Sequence, residues 1–197
     1  MNKTSYRIVN GITIYRILAA PVLFYLAFSL QLNIFKWLLP ISYFTDLIDG
    51  FLARKLKVTS VMGSRLDSIG DDLTVLASLT GLAIFRPEFI IDQKPILIVL
   101  FSLFLIQIIL AFIRYHKTTS FHTYFAKAAA IFQGTFLILI FLIPKPLLGL
   151  FYIAAGITFL ELIEEIILVL LLPKWEINIK GLYWIIYKKD VKHSNSK

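Results

Sequence analysis

The chain has 197 residues, enough for one domain, but 58% of them are hydrophobic and the mean hydropathy is +0.80, far from a soluble average. With no cysteine in the sequence, disulfides and Cys-ligated zinc are excluded. The net charge of +8 does not form a basic stripe. It is spread between apolar stretches and the C-terminus, so the expected partner is an anionic lipid surface rather than nucleic acid.

A helix needs roughly 20 apolar residues to cross a hydrocarbon core of ~30 Å. Six such stretches are predicted, at about 12–31, 34–54, 64–85, 95–114, 122–143 and 150–172. The joints carry turn or charge signals: Gln31 to Asn33, Lys55 to Thr59, Arg86-Pro87 through Lys94-Pro95, His116 to Ser120, and Pro144-Lys145-Pro146. The fold class read from this layout is all-α, a polytopic membrane protein with six transmembrane helices. The first stretch follows Lys3 and Arg7 in the manner of a signal peptide. Its apolar run is too long, it contains Arg16, and no small-residue cleavage site follows, so a retained helix is expected.

With the N-terminus cytoplasmic, an even number of spans returns the C-terminus to the same side. Then only Lys36, Arg86, Lys94 and Lys145 face outward, against 16 of the 20 basic residues inward, as the positive-inside rule requires. Residues 1–172 form the membrane domain. The tail, 173–197, mixes Trp, Tyr and Lys in the way of an interfacial segment up to about 189, and Asp190 to Lys197 have the composition of a disordered end. His116 and His122 read as interfacial polar residues, not as metal ligands.

Between the second and third spans lies Asp46-Leu-Ile-Asp49-Gly50-Phe-Leu-Ala53-Arg54, then eight residues, then Gly63-Ser-Arg-Leu-Asp67-Ser-Ile-Gly-Asp71. Ionisable groups at membrane depth are costly, and their default reading is functional. Helical spacing of three and four puts Asp46, Asp49, Gly50 and Ala53 on one stripe, and Asp67 with Asp71 on another. If the two helices pack antiparallel, the four carboxylates converge on an oxygen-rich pocket of the kind that Mg²⁺ selects. Gly50 and Ala53 leave room there for a ligand. Capping a helix end needs one Asp, not four.

This pattern resembles the signature of the CDP-alcohol phosphatidyltransferases, and all eight signature positions match: Asp46, Asp49, Gly50, Ala53, Arg54, Gly63, Asp67 and Asp71. The resemblance implies an integral membrane enzyme of six transmembrane helices, usually a homodimer. It would move a phosphatidyl group from CDP-diacylglycerol to a polar alcohol and release CMP; the charge distribution above places the motif at the cytoplasmic end of spans two and three, as expected at a bacterial inner membrane. The resemblance further implies that Asp46, Asp49, Asp67 and Asp71 hold two Mg²⁺ or Mn²⁺ ions, that Asp71 is the general base on the acceptor hydroxyl, and that Gly50, Ala53, Arg54 and Gly63 seat the CDP-lipid.

The opening Asn10-Gly-Ile-Thr13-Ile-Tyr-Arg16, ahead of Pro21, is similar to the first helix of the phosphatidylglycerophosphate and cardiolipin synthase branches. Arg16 is there either to reach lipid phosphate or to snorkel to the interface. Glycerol 3-phosphate is the first-choice acceptor, with Arg114 and Lys127 as candidates for holding its phosphate; both also read as ordinary positive-inside flanks. Phosphatidylglycerol and inositol phosphate are the alternatives within the family. Residues 126–133, Ala-Lys127-Ala-Ala-Ala-Ile-Phe-Gln133, depart from the Gly-Lys-x-Lys-Thr-x-x-Gln of the phosphatidylglycerophosphate branch, and Asp72 stands where many members carry Lys. Glu161, Glu164 and Glu165 inside the sixth span are expected to face a polar cavity or a dimer interface. They are the one feature that favours a cation channel or transporter, a reading opposed by the clustering of the other acids at one face.

Overall fold

The computed structural model describes residues 3–56, 61–116, 121, 123–174 and 179–185, with side chains at all of these except 3–10, 12–13, 46–47, 49–54, 56, 61–65 and 67–68. Among the described residues there is no strand, and the helices run in the order α1 (Lys3–Phe28), α2 (Leu32–Leu56), α3 (Val61–Phe85), α4 (Pro87–Asp92), α5 (Lys94–Tyr115), α6 (Tyr124–Leu142) and α7 (Leu148–Leu171). The six long helices occupy the six apolar stretches, and the short α4 lies in the Arg86 to Pro95 joint. Pro87 and Pro95 stand in the first turns of α4 and α5, where a missing N–H costs nothing. Two helices, α5 and α6, are long and apolar enough to cross a membrane. The other four long helices each carry at least three ionisable residues.

The chain divides into two compact units, the first made of Met1–Asp92 with Leu137–Pro146. In it α1 packs against both α2 and α3. The buried stripe of α1 is Arg16, Ala20, Leu23 and Ala27, all at 1% exposure or less, spaced by four, three and four as one helical face requires. On α3 the buried face is Gly70, Thr74, Ala77, Ser78 and Gly81. Small residues on both helices allow close backbone approach, which is how helices gain contact where lipid removes the hydrophobic drive between them. The buried face of α2 carries Phe35, Leu39 and Ser42.

Phe35 lies under Gly81 and between Phe85 and Phe141, at ring-centroid distances of 5.3 and 5.0 Å. One turn further along α3 toward its start, Tyr43 and Ser78 share a hydrogen bond of 3.2 Å. Rising numbers on α2 thus meet falling numbers on α3, so the two helices are antiparallel. Arg86, just past α3, donates from Nε to the Ile140 carbonyl at 3.2 Å and from Nη2 to the Ile143 carbonyl at 3.0 Å. It satisfies carbonyls that the end of α6 would leave open and puts a positive charge at the negative end of its dipole.

The second unit comprises Gln93–Phe136 and Leu147–Lys197. Here α5 packs on α7, and the end of α7 is closed as α6 is. Arg114 donates from Nε to the Leu172 carbonyl at 3.1 Å, and Tyr115 shares its hydroxyl proton between the carbonyls of Val169 and Leu172 at 3.0 and 2.9 Å. α5 stops at His116, whose left-handed φ of 54° lets its N–H return to the Phe112 carbonyl. Buried Thr123 starts α6 as an N-cap, its Oγ1 accepting the Ala126 N–H at 3.1 Å.

Part of the tail belongs to this unit. Ile179 joins Ala111, Phe121, Leu168, Val169 and Leu172 in the core, with Leu182 and Ile185 packed against them, and the Lys180 carbonyl accepts the Tyr124 N–H at 3.2 Å. His122, the tail segments 175–178 and 186–189, and the acidic and polar end from Asp190 to Lys197 lie outside the described residues.

Candidate active site

The eight signature positions fall on the facing ends of two adjacent helices. Asp46, Asp49, Gly50, Ala53 and Arg54 are in the last three turns of α2, and Gly63, Asp67 and Asp71 in the first three of α3. Positions 46, 49 and 53 follow Phe35, Leu39 and Ser42 in the helical register of α2, and positions 71 and 67 precede Ser78 and Thr74 in that of α3. Extending the antiparallel pairing of Phe35 with Gly81 and Tyr43 with Ser78 two turns toward the 57–60 connection brings position 49 opposite the 67–71 turn. The side chains of Asp46, Asp49, Gly50, Ala53, Arg54, Gly63 and Asp67 lie outside the described set.

Asp71 is described, and its surroundings overturn both readings of Arg16. The guanidinium of Arg16 neither snorkels nor stands open to a lipid phosphate: the residue is 1% exposed, and its Nη2 donates to Oδ1 of Asp71 in an ion pair. The Asp71 side chain keeps 47% of its surface, so the carboxylate is held from the α1 side and still accessible. Gly70 makes the pairing possible. A methyl group at that position would stand 2.9 Å from Nη2, 3.3 Å from Nε and 3.4 Å from Cζ of Arg16. The following turns of α3 satisfy their own hydroxyls, Thr74 on the Gly70 carbonyl at 2.8 Å and Ser78 on that of Thr74 at 2.7 Å. Asp72 is exposed.

Among the described residues no cluster of three metal-ligating side chains is present; of the four motif carboxylates only Asp71 is described, and its side chain is accessible, as a hard oxygen ligand for a divalent cation would have to be. The remaining candidates are in the second unit. Arg114 is exposed, with its Nε committed to Leu172. Lys127 is exposed, with its ammonium 5.6 Å from the centre of the Tyr124 ring. Gln133, one of the two residues kept from the branch pattern in span five, donates to Thr158, which itself donates to the Ala154 carbonyl at 2.8 Å.

Two of the acids of α7 have internal partners. Buried Glu165 accepts from Nε2 of Gln107 at 2.7 Å. Oε1 of Glu164 accepts the Leu182 N–H at 2.9 Å and sits where a side chain on Gly181, at φ +150°, would stand 3.0 Å away. Glu164 thus docks the tail. Two of the three acids that suggested an ion pathway are spent on holding α7 to its neighbours.

The family profile for CDP-alcohol phosphatidyltransferase matches residues 6–172. A protein of Rickettsia typhi named CDP-diacylglycerol--glycerol-3-phosphate 3-phosphatidyltransferase is 30% identical over 162 residues, 81% of this chain and 85% of that one. Its namesake in Rickettsia prowazekii is 30% identical over 81% of this chain and 83% of its own, and that of Haemophilus influenzae is 32% identical over 45% and 49%. No solved structure matches the chain. With the family profile covering all but the ends, and the eight signature residues on the adjoining ends of α2 and α3, the chain belongs to the CDP-alcohol phosphatidyltransferases, integral membrane enzymes that transfer a phosphatidyl group.

Proposed function

We propose that this enzyme transfers the phosphatidyl group of CDP-diacylglycerol to glycerol 3-phosphate, releasing CMP and forming phosphatidylglycerophosphate. The observation that carries the reading is the likeness to relatives named for that reaction over four-fifths of the chain, joined to a motif carboxylate that is held by a buried arginine and still accessible.

In the proposed reaction an acceptor hydroxyl oxygen forms a bond to the phosphorus that carries diacylglycerol. The bond from that phosphorus to the bridging oxygen of the anhydride breaks, its electron pair leaving with CMP, and the hydroxyl proton passes to the Asp71 carboxylate. General-base help of this kind contributes about 10²–10⁴-fold. Asp46, Asp49, Asp67 and Asp71 would hold two Mg²⁺ or Mn²⁺ ions, which when bound offset the charge developing on the departing phosphate. Gly50 and Ala53 leave space for the nucleotide, Gly63 lets the start of α3 approach it, and Arg54 offers a cation to its phosphates. Arg114 and Lys127 serve the acceptor phosphate. Arg114 also donates from Nε to the Leu172 carbonyl.

The same reading takes α1, α2, α3, α5, α6 and α7 as six spans, with both termini and the motif on the cytoplasmic side of a bacterial inner membrane and two copies forming the working enzyme. The test is a competition assay with purified protein, labelled CDP-diacylglycerol, Mg²⁺ and one acceptor at a time, read by mass spectrometry of the lipid product. Phosphatidylglycerophosphate as the sole product is expected. A lipid formed only from phosphatidylglycerol or inositol phosphate would move the chain to another branch, and cation flux without CMP release would sink the transferase.

A further inference from the structure

We propose that Arg16 is a positioning residue for Asp71, its guanidinium seated in a slot that only glycine at position 70 leaves open. The inference rests on the reading of Asp71 as the base that takes the acceptor proton.

Three observations carry it. Arg16 lies on the most deeply buried stripe of α1, in line with Ala20, Leu23 and Ala27, a place where a cation is costly unless it is paired. Its Nη2 meets the motif carboxylate across 55 residues of sequence. And the backbone of α3 is pared to a hydrogen at the point where the guanidinium passes, since a Cβ on Gly70 would stand 2.9 Å from Nη2. A planar guanidinium fixes the carboxylate it pairs with more narrowly than an ammonium can. Losing that pairing removes a constraint on a side chain nearly half of whose surface is exposed. Arg16 does not take part in bond making; it decides where the carboxylate points.

The contact at Gly70 separates this role from mere packing. At Gly70 the atom in the way is the far end of a flexible side chain, so a methyl group there displaces the guanidinium and leaves the helices in place. Gly70→Ala should then lower kcat, with a melting-temperature loss no larger than that of Arg16→Ala, because it disturbs the same pairing and gains some helix propensity. Arg16→Ala should lower kcat by about 10- to 100-fold, the usual loss when a group that orients a catalytic residue is removed, with the KM for both substrates little changed. Millimolar guanidinium should restore part of the rate of Arg16→Ala, and should fail to do so in the Arg16→Ala/Gly70→Ala double variant, whose slot is filled. Arg16→Lys, which keeps the charge, should fall between.

A second readout needs no turnover. In EDTA, the melting-temperature losses of Arg16→Ala and Asp71→Asn should add to more than the loss of the double variant, because the two residues share one interaction. The proposal is overturned if Arg16→Ala or Arg16→Lys keeps the full kcat, if the two losses add, or if Gly70→Ala melts early with kcat intact. In each of those cases, an inactive Asp71→Asn leaves the reading of Asp71 standing. An active Asp71→Asn would remove the base itself, whatever Arg16 does. Should Arg16→Ala not fold, Gly70→Ala and Arg16→Lys still decide the question.

Discussion

Gly81→Ala should destabilise the protein, although alanine is the better helix former. Gly81 faces the ring of Phe35, and an added Cβ would overlap its Cζ and Cε1. The ring has nowhere to go: Phe35 is 0% exposed and is wedged between Phe85 and Phe141 at 5.3 and 5.0 Å. Overpacking a closed core costs about 1–3 kcal/mol, and a ring trapped on both sides belongs near the top of that range. Against it stands about 1 kcal/mol of helix propensity, leaving a net loss of about 2 kcal/mol. For a chain of this size each kcal/mol moves the melting temperature by roughly 2–4 °C, so a drop of roughly 4–8 °C is expected in a thermal melt of the purified protein in detergent. About ten residues of helix, or about 15 Å, separate Gly81 from Asp71 near the start of α3, so kcat measured below the lowered melting temperature should stay close to normal. Adding Phe35→Leu to Gly81→Ala should recover part of the loss by making room. The reasoning fails if Gly81→Ala melts at or above the parent temperature, or if Phe35→Leu simply adds its own loss.

Asp71→Asn should reduce kcat by about 10²–10⁴-fold while CDP-diacylglycerol still binds, and EDTA should stop turnover until Mg²⁺ or Mn²⁺ is returned; a normal rate in either case would refute the part assigned to the carboxylates. Glu165→Ala leaves the buried Gln107 amide without this acceptor and should cost about 1–3 kcal/mol, whereas Glu165→Gln should melt nearly as the parent does, and equal losses would show that the contact matters little. Arg114→Ala and Lys127→Ala should each raise the KM for glycerol 3-phosphate, and Arg114→Ala should also loosen the end of α7 at Leu172. If the melt falls while the KM stays, Arg114 is a helix cap alone. Because the sequence has no cysteine, single cysteines can be introduced for labelling: one at position 58 should react only with a reagent that enters the cell and one at 145 with an impermeant one, and the reverse pattern would invert the proposed topology.

Much of this was legible in the sequence. The six long helices follow the six apolar stretches, because a continuous apolar run of that length has few other ways to satisfy its backbone in lipid. The signature positions land on the facing ends of α2 and α3 because their spacing is helical on both sides of a short connection. Long-range pairing was not legible. Arg16 was read in isolation as a snorkelling or lipid-reaching residue, yet its partner lies on another helix. The register of Arg16 with Ala20, Leu23 and Ala27 was the available signal, since a cation on the smallest and most buried face of a helix must have a partner inside. The part played by Gly70 was hidden too, because a glycine in a helix declares nothing until the side chain it admits is known. Glu164 gave no sign of its work, because its donor is the backbone N–H of Leu182 in the tail.

Arg86 and Arg114 owe their positions to more than the membrane's charge asymmetry. Both entered the reading of orientation as flanking charges, one outward and one inward. Each proves to be occupied with the carbonyls at the end of a helix that follows 54 to 58 residues later, where a cation is favoured by the dipole whichever side of the membrane it faces. Their positions therefore have a cause apart from topology, and they should be struck from the count. Removing one from each side changes 16 inward and 4 outward to 15 and 3. The ratio sharpens, so the case for a cytoplasmic motif does not lean on the two arginines that the fold has already explained.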